Sequence, residues 1–173
     1  MDANELEVWM QGPIPGIPAF VQPVAHTLLQ VDRDIERLVT PDLQSVLWDK
    51  PYGVASIAFH LQHIAGVIDR MYTYASNKSL TDEQFEYLKK EGVDSIELTT
   101  EVFKKNISST IQNLLNQLKN TTDITLKETR FLGRKKIPTT QIGLLFHAAE
   151  HAQRHYGQLL VTVNILKNNS PRG

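Results

Sequence analysis

The chain contains no cysteine. That absence removes disulfides, thiolate metal ligands and a cysteine nucleophile together, so any thiol in its chemistry must arrive with a substrate. No apolar run approaches the roughly 20 residues that a membrane helix needs. The opening MDANELEVWM is acidic and lacks the charged-then-apolar order of a secretory signal. A cytoplasmic protein with no membrane partner is expected. Excess charge is lacking too: 18 basic residues against 19 acidic ones leave a net charge of -1, and no positive field exists to concentrate phosphate backbones. No nucleic-acid partner is expected. Nothing resembles a phosphate-binding glycine loop or a nucleophile elbow.

What is present points to one folded unit. A length of 173 residues with 41% hydrophobic and 21% charged residues suits a single core and argues against a mainly disordered chain. Pro13, Pro15 and Pro18 with Gly12 and Gly16 predict an extended N-terminal arm over residues 1–17, because no helix interior tolerates that spacing. A first helix is predicted from about Pro18 to Val39, with Phe20, Val24, Leu28, Val31, Ile35 and Leu38 recurring at three- and four-residue spacings. The clearest stripe follows: Ile57, Leu61, Ile64, Ile68, Met71 and Ala75 stay in phase for about five turns and predict a second helix over 54–76.

Thr81 and Gln84 have the form of a capping box, which opens a short extra helix that ends near Glu91, before Gly92. Thr99 can cap a third long helix reaching about Asn120, with Val102, Phe103, Ile107, Ile111, Leu114, Leu115 and Leu118 on its core face. Residues 121–138 read as a loop or weak hairpin. The last helix is predicted to start at Thr139 or Thr140 and to turn Leu145, Ala149, Ala152, Leu159, Val163 and Leu166 inward. Four long helices and no convincing sheet mean an all-α four-helix bundle over 18–167, followed by a short tail over 168–173.

Five of the six histidines fall in two clusters: His60 and His63 on the second helix, and His147, His151 and His155 on the last. Residues four apart stack on one helix face, so His151 and His155 can direct two imidazoles at one ion, with a third ligand supplied by another helix. Imidazole suits zinc, nickel, copper or iron, and three histidines leave positions open as catalytic zinc sites do. On a helical projection His63 and His151 each lie roughly 120° from the centre of the apolar stripe, with His155 somewhat nearer. His60 lies nearer the stripe than His63, competes with it as third ligand, or is a hydrogen-bonded core residue. His147 points furthest toward the polar side, and paired histidines also occur on solvated faces without a metal. His26, alone on the first helix, reads as a surface or packing residue.

Two other schemes fail on spacing. A metalloprotease helix wants His-Glu-x-x-His, whereas Glu150 precedes His151 and Ala152, Gln153 and Arg154 separate the histidines. A di-iron bundle needs paired Glu-x-x-His motifs with further inward glutamates, and none occurs.

Ser56-Ile-Ala-Phe-His-Leu-Gln-His63-Ile-Ala65, preceded by Trp48, and Glu150-His151-Ala-Gln-Arg-His155-Tyr-Gly157-Gln158 resemble the second-helix and last-helix segments of the DinB/YfiT-like family of metalloenzymes. Gly133 through Ile142 resembles the lead-in to that last helix. Together the segments cover about a fifth of the chain, and the histidine spacing is their specific part. The resemblance implies a DinB-like bundle in which His63, His151 and His155 are the metal ligands and His60 takes a position usually filled by a core residue. The implied ion is nickel or zinc, with iron and manganese as further choices. Tyr156, where many relatives carry arginine, and the additional His60 and His147 depart from the pattern and bear on the substrate.

Characterised relatives use the metal for thiol-dependent transfer or isomerisation, so the resemblance implies an S-transferase type of enzyme acting on a small-molecule substrate such as a low-molecular-weight thiol. The alternatives are a metal-dependent hydrolase, for which no general base sits beside the ligands in sequence, and a non-catalytic metal-binding stress-response protein. Relatives often form dimers, which makes a homodimer an expectation. Arg70, seven residues after His63, and Gln158, three after His155, are each placed to reach toward a polar group of a ligand or substrate, and for Arg70 a surface position is the reading preferred. Gln158 belongs to the Gly-Gln pattern and receives no chemical role.

Overall fold

A computed structural model describes residues 6–169; the first five residues of the arm and the end of the tail lie outside the described residues. The chain forms α1 (Gln22–Leu38), α2 (Ile57–Ala75), α3 (Asp82–Lys90), α4 (Thr100–Leu118), α5 (Asp123–Lys127), β1 (Thr129–Leu132), β2 (Ile137–Thr140) and α6 (Gln141–Asn169). The four long helices α1, α2, α4 and α6 make the bundle. Both α1 and α2 pack against α4 and α6, and the α2–α6 seam is the most extensive of these contacts.

Each long helix starts and buries itself as its sequence demands. Ser56 accepts a hydrogen bond from the Phe59 amide to open α2, and Thr99 accepts one from Val102 to open α4. Thr81 and Gln84 exchange both bonds of a capping box at the start of α3. Thr140 Oγ1 accepts from the Gly143 amide at 3.1 Å, so α6 begins just after it. The core collects Leu28, Val31 and Ile35 of α1, Leu61, Ile64 and Ile68 of α2, Ile107, Ile111 and Leu114 of α4, and Leu145, Leu159 and Val163 of α6. Burial at this density is what makes four amphipathic helices one cooperative unit.

Two predicted core residues are exposed. Phe20 lies in a 3-10 turn (Ala19–Val21) ahead of α1, where the change of pitch turns Val21 inward and leaves Phe20 68% exposed. Val102 sits on the first turn of α4, one residue off its stripe, and Phe103 takes the buried position. The segment expected as a loop or weak hairpin holds α5 and the antiparallel pair β1–β2, in register Thr129 to Thr140 and Leu132 to Ile137. From that hairpin the buried Arg130 donates through Nε to the Ala75 carbonyl at 3.0 Å, and the buried Gln141 donates to the same oxygen at 3.2 Å. The end of α2 is thereby fastened to the start of α6.

The described part of the arm is irregular apart from a 3-10 turn at Val8–Gln11 and lies along α1. Gln30 Oε1 accepts from the Val8 amide at 3.0 Å, Arg33 donates to the Leu6 carbonyl at 2.8 Å, and His26 Nε2 contacts the Gly12 carbonyl at 3.0 Å. His26 is thus a packing residue of the arm, far in role from the other histidines.

Candidate metal centre

Between α2 and α6 three imidazoles converge. The periodicity that buries Ile64 and Ile68 leaves His63 on the flank of α2 that faces α6, and the four-residue spacing of His151 and His155 stacks both on the facing side of α6. One ring nitrogen from each lies within 4.8 Å of the others. His63 Nε2 and His151 Nε2 are 3.0 Å apart, and the ring centroids of His63 and His155 are 4.4 Å apart. Two nitrogens bound at about 2.0–2.1 Å to one tetrahedral ion stand roughly 3.3 Å from each other. The His63–His151 spacing is close to that value.

The electrostatics suit ligands that work through a lone pair. Burial, reinforced by the charge of neighbouring His63, pushes His151 and His155 down to about 4, so both rings are neutral at pH 7. His60, buried and also beside His63, is pushed down to about 4 for the same reasons. The Nδ1 of His151 is buried without a hydrogen-bond partner among the described residues. Such an orphaned nitrogen costs free energy unless something accepts its lone pair or proton. A nitrogen-rich donor set drawn from two helices, with His151 and His155 held neutral, fits a divalent ion.

The surroundings are equally ordered. Phe59 stacks on the His63 ring with centroids 5.3 Å apart and planes 11° from parallel, shielding one face. His63 Nδ1 lies 2.6 Å from Glu91 Oε2, and Arg70 Nη1 donates to Glu91 Oε1 at 2.7 Å. Burial pushes the Glu91 carboxyl up, but the hydrogen bonds from His63 and Arg70 and the charge on Arg70 outweigh it and hold the group below its ordinary value. Behind these groups Tyr87 donates to the Gln62 carbonyl at 3.1 Å, and Gln62 Oε1 accepts from the Gly92 amide at 2.7 Å.

A sequence comparison now bears on this geometry. Residues 25–159 match the model of the DinB superfamily. The chain belongs to the DinB superfamily. No curated protein matches it at a significant level. Within this DinB-like bundle the three-histidine group is a candidate site for a divalent metal ion. His60, which the helical projection left in competition with His63, lies beside the group, with its Nδ1 3.2 Å from His155 Nδ1. His147 is exposed and belongs to a second group with Glu150 and His151. Gln158 is exposed.

Arg70 corrects the sequence reading. Expected at the surface, it is only 7% exposed, because the carboxylate of Glu91 neutralises it inside the fold and the pair is desolvated together. Glu91, Phe59 and Gln62 were not singled out at all. The available signal was Arg70 itself: a cation two turns after His63 on the flank of an apolar helix asks for a carboxylate nearby, and Glu91 at the end of the capped α3 is the one supplied.

A cleft of about 470 Å³ opens beside His60, with Val54, Val161 and Ile165 on its walls and Arg154 and Gln158 also lining it. A larger cleft of about 590 Å³ lies between the arm, α1 and α6 and is lined by none of the clustered histidines. Chemical placement favours the smaller one, since only it reaches a side chain in contact with the site. Among the described residues no helix is long and apolar enough to cross a membrane.

Proposed function

We propose that the protein is a DinB-like metalloenzyme in which His63, His151 and His155 hold nickel or zinc for transfer of a low-molecular-weight thiol to a small electrophile. The observation that carries this reading is the meeting of three imidazoles from two helices within one ion's reach. Three protein ligands leave coordination positions for a substrate. A dication bound there lowers the pKa of a coordinated thiol until it is a thiolate near neutral pH, the nucleophilic form. The chain has no cysteine to compete for that position. Phe59 excludes water from one face of His63, and the apolar walls of the cleft beside His60 suit an uncharged electrophile.

Hydrolysis at the same centre finds less support. The carboxylate of Glu91 is engaged through both oxygens, by His63 and by Arg70, and is not free to take a proton from water. A closed, purely structural site needs a fourth protein ligand, and His60 stands outside the mutually close group of three.

The test begins with metal content of protein purified without a metal-binding tag. Wild type is expected to carry near-stoichiometric nickel or zinc after loading, and His151→Ala to carry little. The loaded protein should then conjugate at least one of several cellular thiols to a reactive electrophile faster than His151→Ala does. Equal rates across a panel of thiols would sink the transferase reading.

A further inference from the structure

Glu91 is delivered to the site by an element that has little else to hold it. None of the nine residues of α3 is buried, so apolar burial contributes little to its docking. Its anchors are mostly polar and centre on α2: Gln84 Nε2 donates to Asp69 Oδ2 at 2.6 Å and to Thr73 Oγ1 at 2.7 Å, and Tyr87 donates to the Gln62 carbonyl, while Asn106 of α4 donates to Tyr87 Oη at 3.3 Å and Arg134 lies over the Phe85 ring. Just past the helix, the Glu91 side chain is 6% exposed and sits against the side chain of Arg70, which is 8% exposed. Both cross the backbone of α2 at Gly66. A Cβ there would stand 2.5 Å from Glu91 Oε1, 2.7 Å from Arg70 Nη1 and 2.9 Å from Tyr87 Cε1, so only glycine leaves room for this arrangement.

The contact has one consequence for proton placement. A carboxylate offers only lone pairs, so the 2.6 Å bond between His63 Nδ1 and Glu91 Oε2 must be donated by the ring. A neutral imidazole has a single N–H. With the proton on Nδ1, the lone pair is on Nε2, the atom 3.0 Å from His151 Nε2.

We propose that Glu91, clamped by Arg70 over Gly66, is a positioning residue that fixes the tautomer of His63 and turns its Nε2 lone pair toward His151 and His155, thereby linking metal affinity to the docking of α3. The affinity half of this inference rests on the three-histidine metal reading; the tautomer half does not.

Two measurements test it: ring ¹⁵N chemical shifts of His63 in the metal-free protein, and zinc affinity by chelator competition. Wild type should show His63 protonated on Nδ1. In Glu91→Gln, Arg70 keeps its donor bond to the amide oxygen, which turns the amide NH₂ toward His63 Nδ1. That nitrogen must then accept, the proton moves to Nε2, and zinc affinity falls about 10- to 100-fold. Adding Arg70→Met frees the amide to rotate, and the double variant should recover the Nδ1 tautomer and an affinity within roughly tenfold of wild type. Gly66→Ala should lose affinity with Glu91 still present, and thermal unfolding of every variant confirms that it is folded. Wild-type tautomer and affinity in folded Glu91→Gln would overturn the proposal. Failure of wild type to take up zinc or nickel would overturn the metal reading and the affinity half with it, while the switch of tautomer would still establish the positioning role.

Discussion

His151 stands in two groups of side chains at once. With His63 and His155 it forms a set drawn from two helices and half-buried throughout; with His147 and Glu150 it forms a set drawn from one helix and exposed at His147. Both contain two histidines four residues apart on α6. What differs is whether burial and a partner helix pre-assemble the donors. In the first set, burial depresses the pKa of His151 and His155, Phe59 covers His63, and a second helix fixes the distance between donors. In the second, Glu150 accepts from Arg154 and stands 3.7 Å from His147, so its carboxylate is partly neutralised before any ion arrives. Helical spacing alone therefore does not pre-assemble a donor set; the partner helix and the dielectric do.

The comparison breaks most sharply under truncation. His63→Ala and His155→Ala should each remove bound metal almost completely, because two remaining imidazoles hold a dication far more weakly than three, whereas His147→Ala should leave the metal content of wild type. Elemental analysis after dialysis reads the difference, and retention of metal in His63→Ala together with loss in His147→Ala would invert the assignment.

Acidification gives a smaller effect with a definite sign. The unfolded chain protonates these imidazoles near 6.5, whereas folded His60, His151 and His155 resist protonation down to about 4. Between those values the unfolded chain holds more protons, so stability of the metal-free protein falls as the pH drops from about 6.5 toward 4 and is level with respect to these groups above that window. Thermal midpoints across this range should show that slope, and His60→Leu should flatten it by removing one of the three rings. A pH-independent midpoint would mean that the rings are already solvated.

The smallest effect belongs to the exposed set. Arg154→Ala removes an i,i+4 ion pair with Glu150, and exposed pairs of this kind contribute little to stability. Metal content and thermal midpoint should both match wild type, and a clear loss of metal would show that the second set supports the first.

The bundle was legible because apolar stripes at helical period report directly on what must be buried: the stripe through Ile57, Leu61, Ile64 and Ile68 is buried as read. The capping box at Thr81 marked α3 for an equally local reason. Phe20 and Val102 were misread where a helix begins, since 3-10 geometry and first-turn offsets alter which side chain faces inward. The histidines of the centre were legible in number and spacing, but the choice between His60 and His63 came from family likeness, because projection on an ideal helix cannot say where the partner helix lies. Glu91 was illegible for a deeper reason. It is 28 residues from His63, just past a helix with no buried residue of its own, and no periodic pattern links the two.

The hairpin bond to Ala75 has a geometric consequence for the whole centre. Arg130 and Gln141 tie the last residue of α2 and the first residue of α6 to one carbonyl oxygen, and from that joint the two helices run back side by side. His63 lies twelve residues from Ala75 and His151 lies ten from Gln141, which at 1.5 Å per residue is about 18 Å and about 15 Å of helix. The joint acts as a ruler with two nearly equal arms. Inserting one alanine between His63 and Ala75, or between Gln141 and His151, would slide one arm by about 1.5 Å and swing the imidazoles it carries by about 100°, leaving every histidine in the sequence and the two helices out of register with each other.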